Sequence, residues 1–182
     1  DMPNQHANKI VFLNRLGALS QIMTDLLAVN APDGVPLGTT ASAALVVIGH
    51  DDAEPLMIAE LAQICSVSHS VMVRTVDQLE RGGYILRGRS KDHRAVVPEL
   101  TEEGRQMRRK ILDQRMARLD VLWGTVDDAD RATLARLVDQ LLSGLTKDRL
   151  SSERTCRMCD TTSCGADCPT ELAARSVESV KT

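Results

Sequence analysis

Between residues 58 and 104 the sequence changes its periodicity repeatedly, and few folds accommodate the order of those changes. Ile58, Leu61, Ala62 and Cys65 fall on one face of a short helix. Ser66 and Val67 leave room only for a tight connection. Ser68 has the chemistry of an N-cap for a second helix ending near Arg81, whose inward stripe is Met72, Val76 and Leu79 at i, i+4 and i+7. Gly82 and Gly83 stop it, because glycine accepts the left-handed conformation at a helix end. Two short helices joined by a tight turn form the helix-turn-helix pattern.

A hairpin follows. Residues 84–87 and 95–98 are strand-like, and Gly88, Arg89, Ser90, Lys91, Asp92, His93 and Arg94 form a polar, basic tip between them. Thr101 is placed to cap the next helix, with Glu102 and Glu103 on its positive end, and this helix runs to about Leu122 or Trp123. Outside this unit lie two further helices. Residues 9–29 carry Ile10, Leu13, Leu16, Leu19, Met23, Leu26 and Leu27, and a helix starting near Asp127 carries Leu134, Leu137, Val138, Leu141, Leu142 and Leu145. A breaker-rich stretch at residues 31–38 separates the first helix from one over residues 39–48, for which Thr39 or Thr40 offers a cap.

Composition favours helix packing. The chain is 43% hydrophobic and 26% charged, which is globular, but only 2% aromatic, so its core must be built from Leu, Val, Ile, Ala and Met. No apolar run reaches the ~20 residues of a membrane span, and the polar start over residues 1–8 predicts no signal peptide. Asp1 at the start points to a processed end. The net charge of −3 argues against an anionic partner until its distribution is considered. Residues 66–97 hold six basic and three acidic side chains, so a basic island of +3 sits in an otherwise acidic chain.

Order and spacing here resemble the MarR (multiple antibiotic resistance regulator) family. The resemblance rests on residues 58–62, 74–85, Asp92-His93-Arg94 and Leu100-Thr101-Glu102-Glu103-Gly104, with flanking helices that extend it over residues 9–145. Cys65 stands where that family usually has leucine, and Ser66 where it usually has glycine. The expected fold is mainly α with a small β-hairpin wing. It divides into a helical dimerisation region over 9–36 and 123–150, a winged helix-turn-helix domain with linking helix over 39–122, and a cysteine-rich segment over 151–182. The expected activity is sequence-specific DNA binding by a cytoplasmic homodimer, with repression implied by the resemblance and no enzymatic arrangement in view.

The recognition helix would offer Ser68, His69, Ser70, Val73 and Arg74 to the major groove, and the wing would bring Arg87, Arg89, Lys91 and Arg94. The resemblance implies that Arg94 enters the minor groove with Asp92 holding it. Arg81 and Arg87 also fit a merely solvated face, and His69 fits a surface role. Pairing two chains would bury the long apolar stripes and set two recognition helices ~34 Å apart, on a pseudo-palindromic operator. A small-molecule effector in the cleft between the dimerisation and DNA-binding parts is also expected from the resemblance.

The last segment is unlike the rest. Cys156, Cys159, Cys164 and Cys168 lie close together without histidine nearby, and Pro169 follows at once. Such thiols fit an iron–sulfur cluster, a structural zinc, or disulfides. A cluster would give a regulator something to sense: oxidants, iron or a gas. Zinc would brace the C-terminus and leave sensing to a small molecule. Clustered thiols of this kind point to a reducing compartment. Cys65 reads as buried core. Beyond Ser151 the helical periodicity lapses.

Overall fold

A computed structural model describes residues 2–27, 37–50, 55–89 and 96–180. Helix α1 spans Met2–Leu27, α2 Thr39–Ile48, α3 Ile58–Ile64 and α4 His69–Arg81. Strands β1 (Ile85–Arg89) and β2 (Val96–Leu100) pair antiparallel, with Ile85 opposite Leu100 and Arg89 opposite Val96. Then come α5 (Glu102–Trp123), α6 (Asp128–Leu145), α7 (Arg149–Cys156), the short α8 (Thr161–Cys164), a 3-10 turn at Gly165–Asp167 and α9 (Pro169–Val180). This is the expected mainly helical fold with a hairpin wing.

The core gathers around α2. Residues from Ala41 to Val47 are buried in an unbroken run, and Leu61, Met72, Val76, Leu79, Ile85 and Ile111 pack around them. An apolar helix with no polar face is stable only inside such a shell. Its start corrects the expected cap. Neither Thr39 nor Thr40 caps it; Gly38 does, through its backbone, and its carbonyl accepts from Ser42 N–H at 3.0 Å. Leu37 is buried just before it, so the entry angle is set by burying that side chain and the threonines fall inside the helix.

The strands are also displaced from the expected positions. Tyr84 belongs to the helix end, because its N–H donates to Leu79 O at 3.0 Å, and pairing begins at Ile85. The cysteine segment is not the lapse in helix expected beyond Ser151. Asp148 and Ser151 form a reciprocal capping box that starts α7, with Ser151 N–H to Asp148 Oδ1 at 2.7 Å and Asp148 N–H to Ser151 Oγ at 2.9 Å. Arg149 then ties α7 to α9 through Glu171 and Glu178.

Helices α1 and α6 differ from the rest. Phe12, Ile22, Leu141 and Leu145 are all more than half exposed, and no residue of α6 is buried. By length and composition Asn8–Leu27 can span a bilayer, contrary to the expectation from the sequence. It carries Lys9, Arg15 and Asp25, however, which are costly in hydrocarbon.

Candidate nucleic-acid interface

The reading helix is held by two helix ends of one design. At the end of α3, Val67 N–H donates to Ala62 O (3.0 Å) and Ser66 N–H to Gln63 O (3.2 Å). At the end of α4, Tyr84 N–H donates to Leu79 O (3.0 Å) and Gly83 N–H to Glu80 O (2.9 Å). Both are Schellman motifs, which need one residue in the left-handed region. That residue is Gly83 (φ 76°) in the second case and Ser66 (φ 56°) in the first. Serine at this position therefore keeps the turn, at the cost of a Cβ in an unfavourable region.

Immediately after the first of these ends, Ser68 caps α4 by accepting from Val71 N–H at 3.3 Å, and its hydroxyl lies 3.1 Å from Ser70 Oγ. Ser68, His69, Ser70 and Arg74 are exposed and Val73 is half-buried, while Met72, Thr75, Val76 and Leu79 face the core. The first two turns thus present one outward polar face, with Ser68 partly occupied in capping.

The wing is braced against this helix. Arg87, exposed on β1, pairs with Asp77 and with Glu80 (3.1 Å), both on α4. Asp77 and Glu80 lie three residues apart on one helix face, so the pairing was latent in the spacing. Arg89 is exposed on β1. Lys91, Asp92 and Arg94 lie outside the described residues. The root of the hairpin is locked to α5: Thr101 N–H donates to Tyr84 O (3.0 Å), its hydroxyl donates to Gly83 O (2.7 Å), and the same hydroxyl accepts from Gly104 N–H (3.0 Å). A Cβ on Gly104 would stand 1.9 Å from Tyr84 O. Glycine is required there because two backbones touch.

The four C-terminal cysteines collect at the joint between α7 and α9. Cys156 ends α7, and Cys168 precedes Pro169, which opens α9. Thr170, 1% exposed, places its hydroxyl 3.2 Å from both Cys156 Sγ and Cys168 Sγ. Cys159 donates to Cys156 and so holds the Cys156 thiol below the ordinary thiol range, aided by Thr170 and Cys168. The same hydrogen bond, with burial, pushes Cys159 up. Burial also raises Cys164, which donates to Cys168. Cys156 and Cys168 thus meet at the Thr170 hydroxyl, with Cys159 and Cys164 close enough to shift or be shifted by them. Among the described residues no three His, Cys, Asp or Glu side chains stand in a preformed metal-binding group. The donor chemistry is all-sulfur and suits a soft metal, provided the chain closes on it.

Cys65 is separate and buried, as expected, and burial pushes its thiol up to about 11. A cleft of about 720 Å³ lies between α2, β2 and α5, lined by Ile48, Leu112, Arg105, Arg108 and Arg109 and by Asp160 from the C-terminal extension. Arg105 and Arg109 also reach Glu102.

A capped outward helix, a braced hairpin and a backbone-locked root define the class: the chain has a winged helix-turn-helix fold, the fold of solved MarR family proteins. Its sequence is similar to the transcriptional repressor MprA of Escherichia coli, 27% identical over 110 residues, which is 60% of this chain and 62% of that protein. The match thus spans less than two thirds of that relative's length. No protein-family model matches the chain. Among solved structures it is similar to a MarR family protein from Bacillus stearothermophilus (19% identity, TM-score 0.60, 81% of this chain and 99% of that one). It is also similar to FabT of Streptococcus pneumoniae, solved in complex with DNA (21% identity, TM-score 0.51, 78% of this chain and 96% of that one).

Proposed function

We propose that this chain is a cytoplasmic, homodimeric DNA-binding transcription regulator that represses from a pseudo-palindromic operator. The observation that carries the reading is the outward face of α4 (His69, Ser70, Arg74) standing beside a basic hairpin that Arg87 braces to the same helix. A fold shared with a protein solved on DNA supports it. The uncovered apolar rows of α1 and α6 supply the dimer surface, and pairing them sets two reading helices one helical turn apart. Arg74 reads a base or phosphate, while Arg89, Lys91 and Arg94 bring charge to the backbone and minor groove. Fluorescence anisotropy on DNA upstream of its own gene tests this. Arg74→Ala should weaken specific binding by about 1–3 kcal/mol and leave the fold unchanged. Equal affinity of the wild-type protein for that DNA and for random duplex at fixed salt would overturn the reading.

The signal enters, in the same proposal, through Cys156, Cys159, Cys164 and Cys168 as ligands of an iron–sulfur cluster that responds to oxidant, iron or gas. Four soft donors at one joint support it. A cluster would supply redox chemistry when bound; the chain's part is to present thiolates, and Cys159 helps by holding the Cys156 thiol below the ordinary thiol range. The arginine-lined cleft favours a second reading, in which a small anionic molecule is the effector and the cysteines hold structural zinc. Metal and sulfide analysis with a visible spectrum of anaerobically purified protein separates the two. Iron, sulfide and colour mark the cluster; one zinc per chain without colour marks the alternative.

A further inference from the structure

Helix α6 carries an open apolar row, yet its hold on the rest of the chain is narrow. It leaves α5 through a short turn in which Thr125 N–H donates to Leu122 O at 3.1 Å and Val126 N–H to Trp123 O at 3.2 Å. Just beyond the turn, Arg131 stacks on the Trp123 ring, 5.1 Å from its centre. Further along, among the described residues, α6 packs chiefly against α9. Helix α5, by contrast, belongs firmly to the reading domain. It packs on α2, and Thr101 locks its start to the hairpin root. One turn and one stacking contact at its near end set the angle of α6 only weakly.

The C-terminal extension takes hold at the far end. Helix α7 begins at Arg149, close after α6 ends at Leu145, and rests on the reading domain. Leu150 and Met158 pack against that domain's core, Ser152 is buried, and Arg154 Nε donates to Gln63 O, near the end of α3, at 2.9 Å. Helix α9 then returns into the corner between α6 and α7 and packs on both. Its Thr170 and Ala174 are fully buried. On one side Ser143 Oγ donates to Pro169 O at 3.3 Å, and on the other Arg149 pairs with Glu171 and with Glu178 (3.0 Å). Helices α5, α6 and α7 thus make a frame closed through the reading domain, with α9 wedged into one corner. Every contact in the frame is made by the chain itself.

An angular error at α6 becomes a positional error on DNA. Helix α5 has 22 residues, so it is ~33 Å long. A tilt of about 6° over that length displaces its far end by ~3.4 Å, one base-pair step. We infer that the C-terminal extension fixes half-site spacing: by bracing α6 against α3, it confines the dimer to one separation of its two reading helices. The inference rests on the reading of the chain as an operator-binding dimer paired through α6, and adds which segment makes spacing a specificity determinant.

A spacing series tests it. The operator is selected from random duplexes with the full chain. Fluorescence anisotropy then compares it with duplexes that have one base pair added or removed between the half-sites. The wild-type protein should lose about 100-fold or more on either change, because geometry then denies it the second half-site. Ala174→Arg drives a long charged side chain into the closed corner and touches neither the recognition helix nor a thiol. Its spacing penalty should fall to roughly 10-fold or less, with hydrogen exchange of the α2 amides unchanged. A role in stability alone would weaken binding to every duplex by one factor and leave the penalty as it was. Arg149→Ala removes the tie to Glu171 and Glu178 and should lower the penalty by a smaller factor; it carries the comparison if the new arginine disturbs α2. Penalties equal to wild type in the folded variants overturn the brace. A wild-type protein that binds its operator but tolerates the altered spacings also overturns it, and leaves the DNA-binding reading standing. Failure to select any duplex over random sequence overturns that reading, and the inference with it.

Discussion

Helices α2 and α6 both carry apolar rows, yet the uncharged α2 is buried along most of its length and α6, whose row is flanked by charged residues, has no buried residue. The difference is one of covering. Helix α2 meets α4, α5 and β2 of its own chain, and its small side chains let them approach. Helix α6 lines up Leu134, Leu137, Val138, Leu141 and Leu145, all at least 40% exposed, and among the described residues packs chiefly against α9. Apolar rows thus make a core in one place and an unfinished surface in the other. In the proposed dimer the second surface is completed by a copy of itself.

That contrast can be broken from either side. Leu141→Glu places a charge in the open row and leaves the α2 core alone. It should give a folded monomer by sedimentation and lower operator affinity by about 100-fold or more, because two linked half-site contacts become one. A Leu141→Glu protein that sediments like the wild type would remove α6 from the interface. Leu79→Ala acts on the other side. Its side chain is fully buried against α2, so unfolding in urea should show a loss of about 2–5 kcal/mol. Gly104→Ala pushes a methyl group into the Tyr84 carbonyl and should cost about 1–3 kcal/mol, with the hairpin root showing the largest chemical-shift changes. The smallest effect has the opposite sign. Ser66→Gly relieves a left-handed serine and should raise stability by roughly 0.5–1 kcal/mol after the entropy of glycine is charged against it.

The reading domain was largely legible because its signals are local. Ser68 and Thr101 announced their caps, Met72, Val76 and Leu79 their stripe, and Gly83 its helix end. The misplaced cap of α2 shows where local reasoning fails: Leu37 is drawn into a core many of whose members, from Leu61 to Leu112, lie far along the chain, and that burial outweighs the hydroxyl chemistry of Thr39 and Thr40. The helices of the cysteine segment were missed for a related reason. Arg149 finds Glu171 and Glu178 only after the chain has turned back, and Arg154 meets Gln63 across 91 positions. No periodicity records such contacts. The thiols themselves were conspicuous in the sequence, but the buried Thr170 hydroxyl between Cys156 and Cys168 was not.

The ion triplet of Arg87 with Asp77 and Glu80 has a consequence for how salt acts on the complex. A cation that already has carboxylate partners carries few condensed counterions of its own to exchange, and it displaces few from a phosphate it does not reach. A count of basic residues on the hairpin therefore overstates the ionic-strength dependence of binding, which falls by about 0.9 in the log–log slope for each phosphate not neutralised. Replacing Arg87 by glutamine should leave that slope nearly unchanged while tilting the wing. The same change at a hairpin cation that does reach the backbone should flatten the slope by close to one.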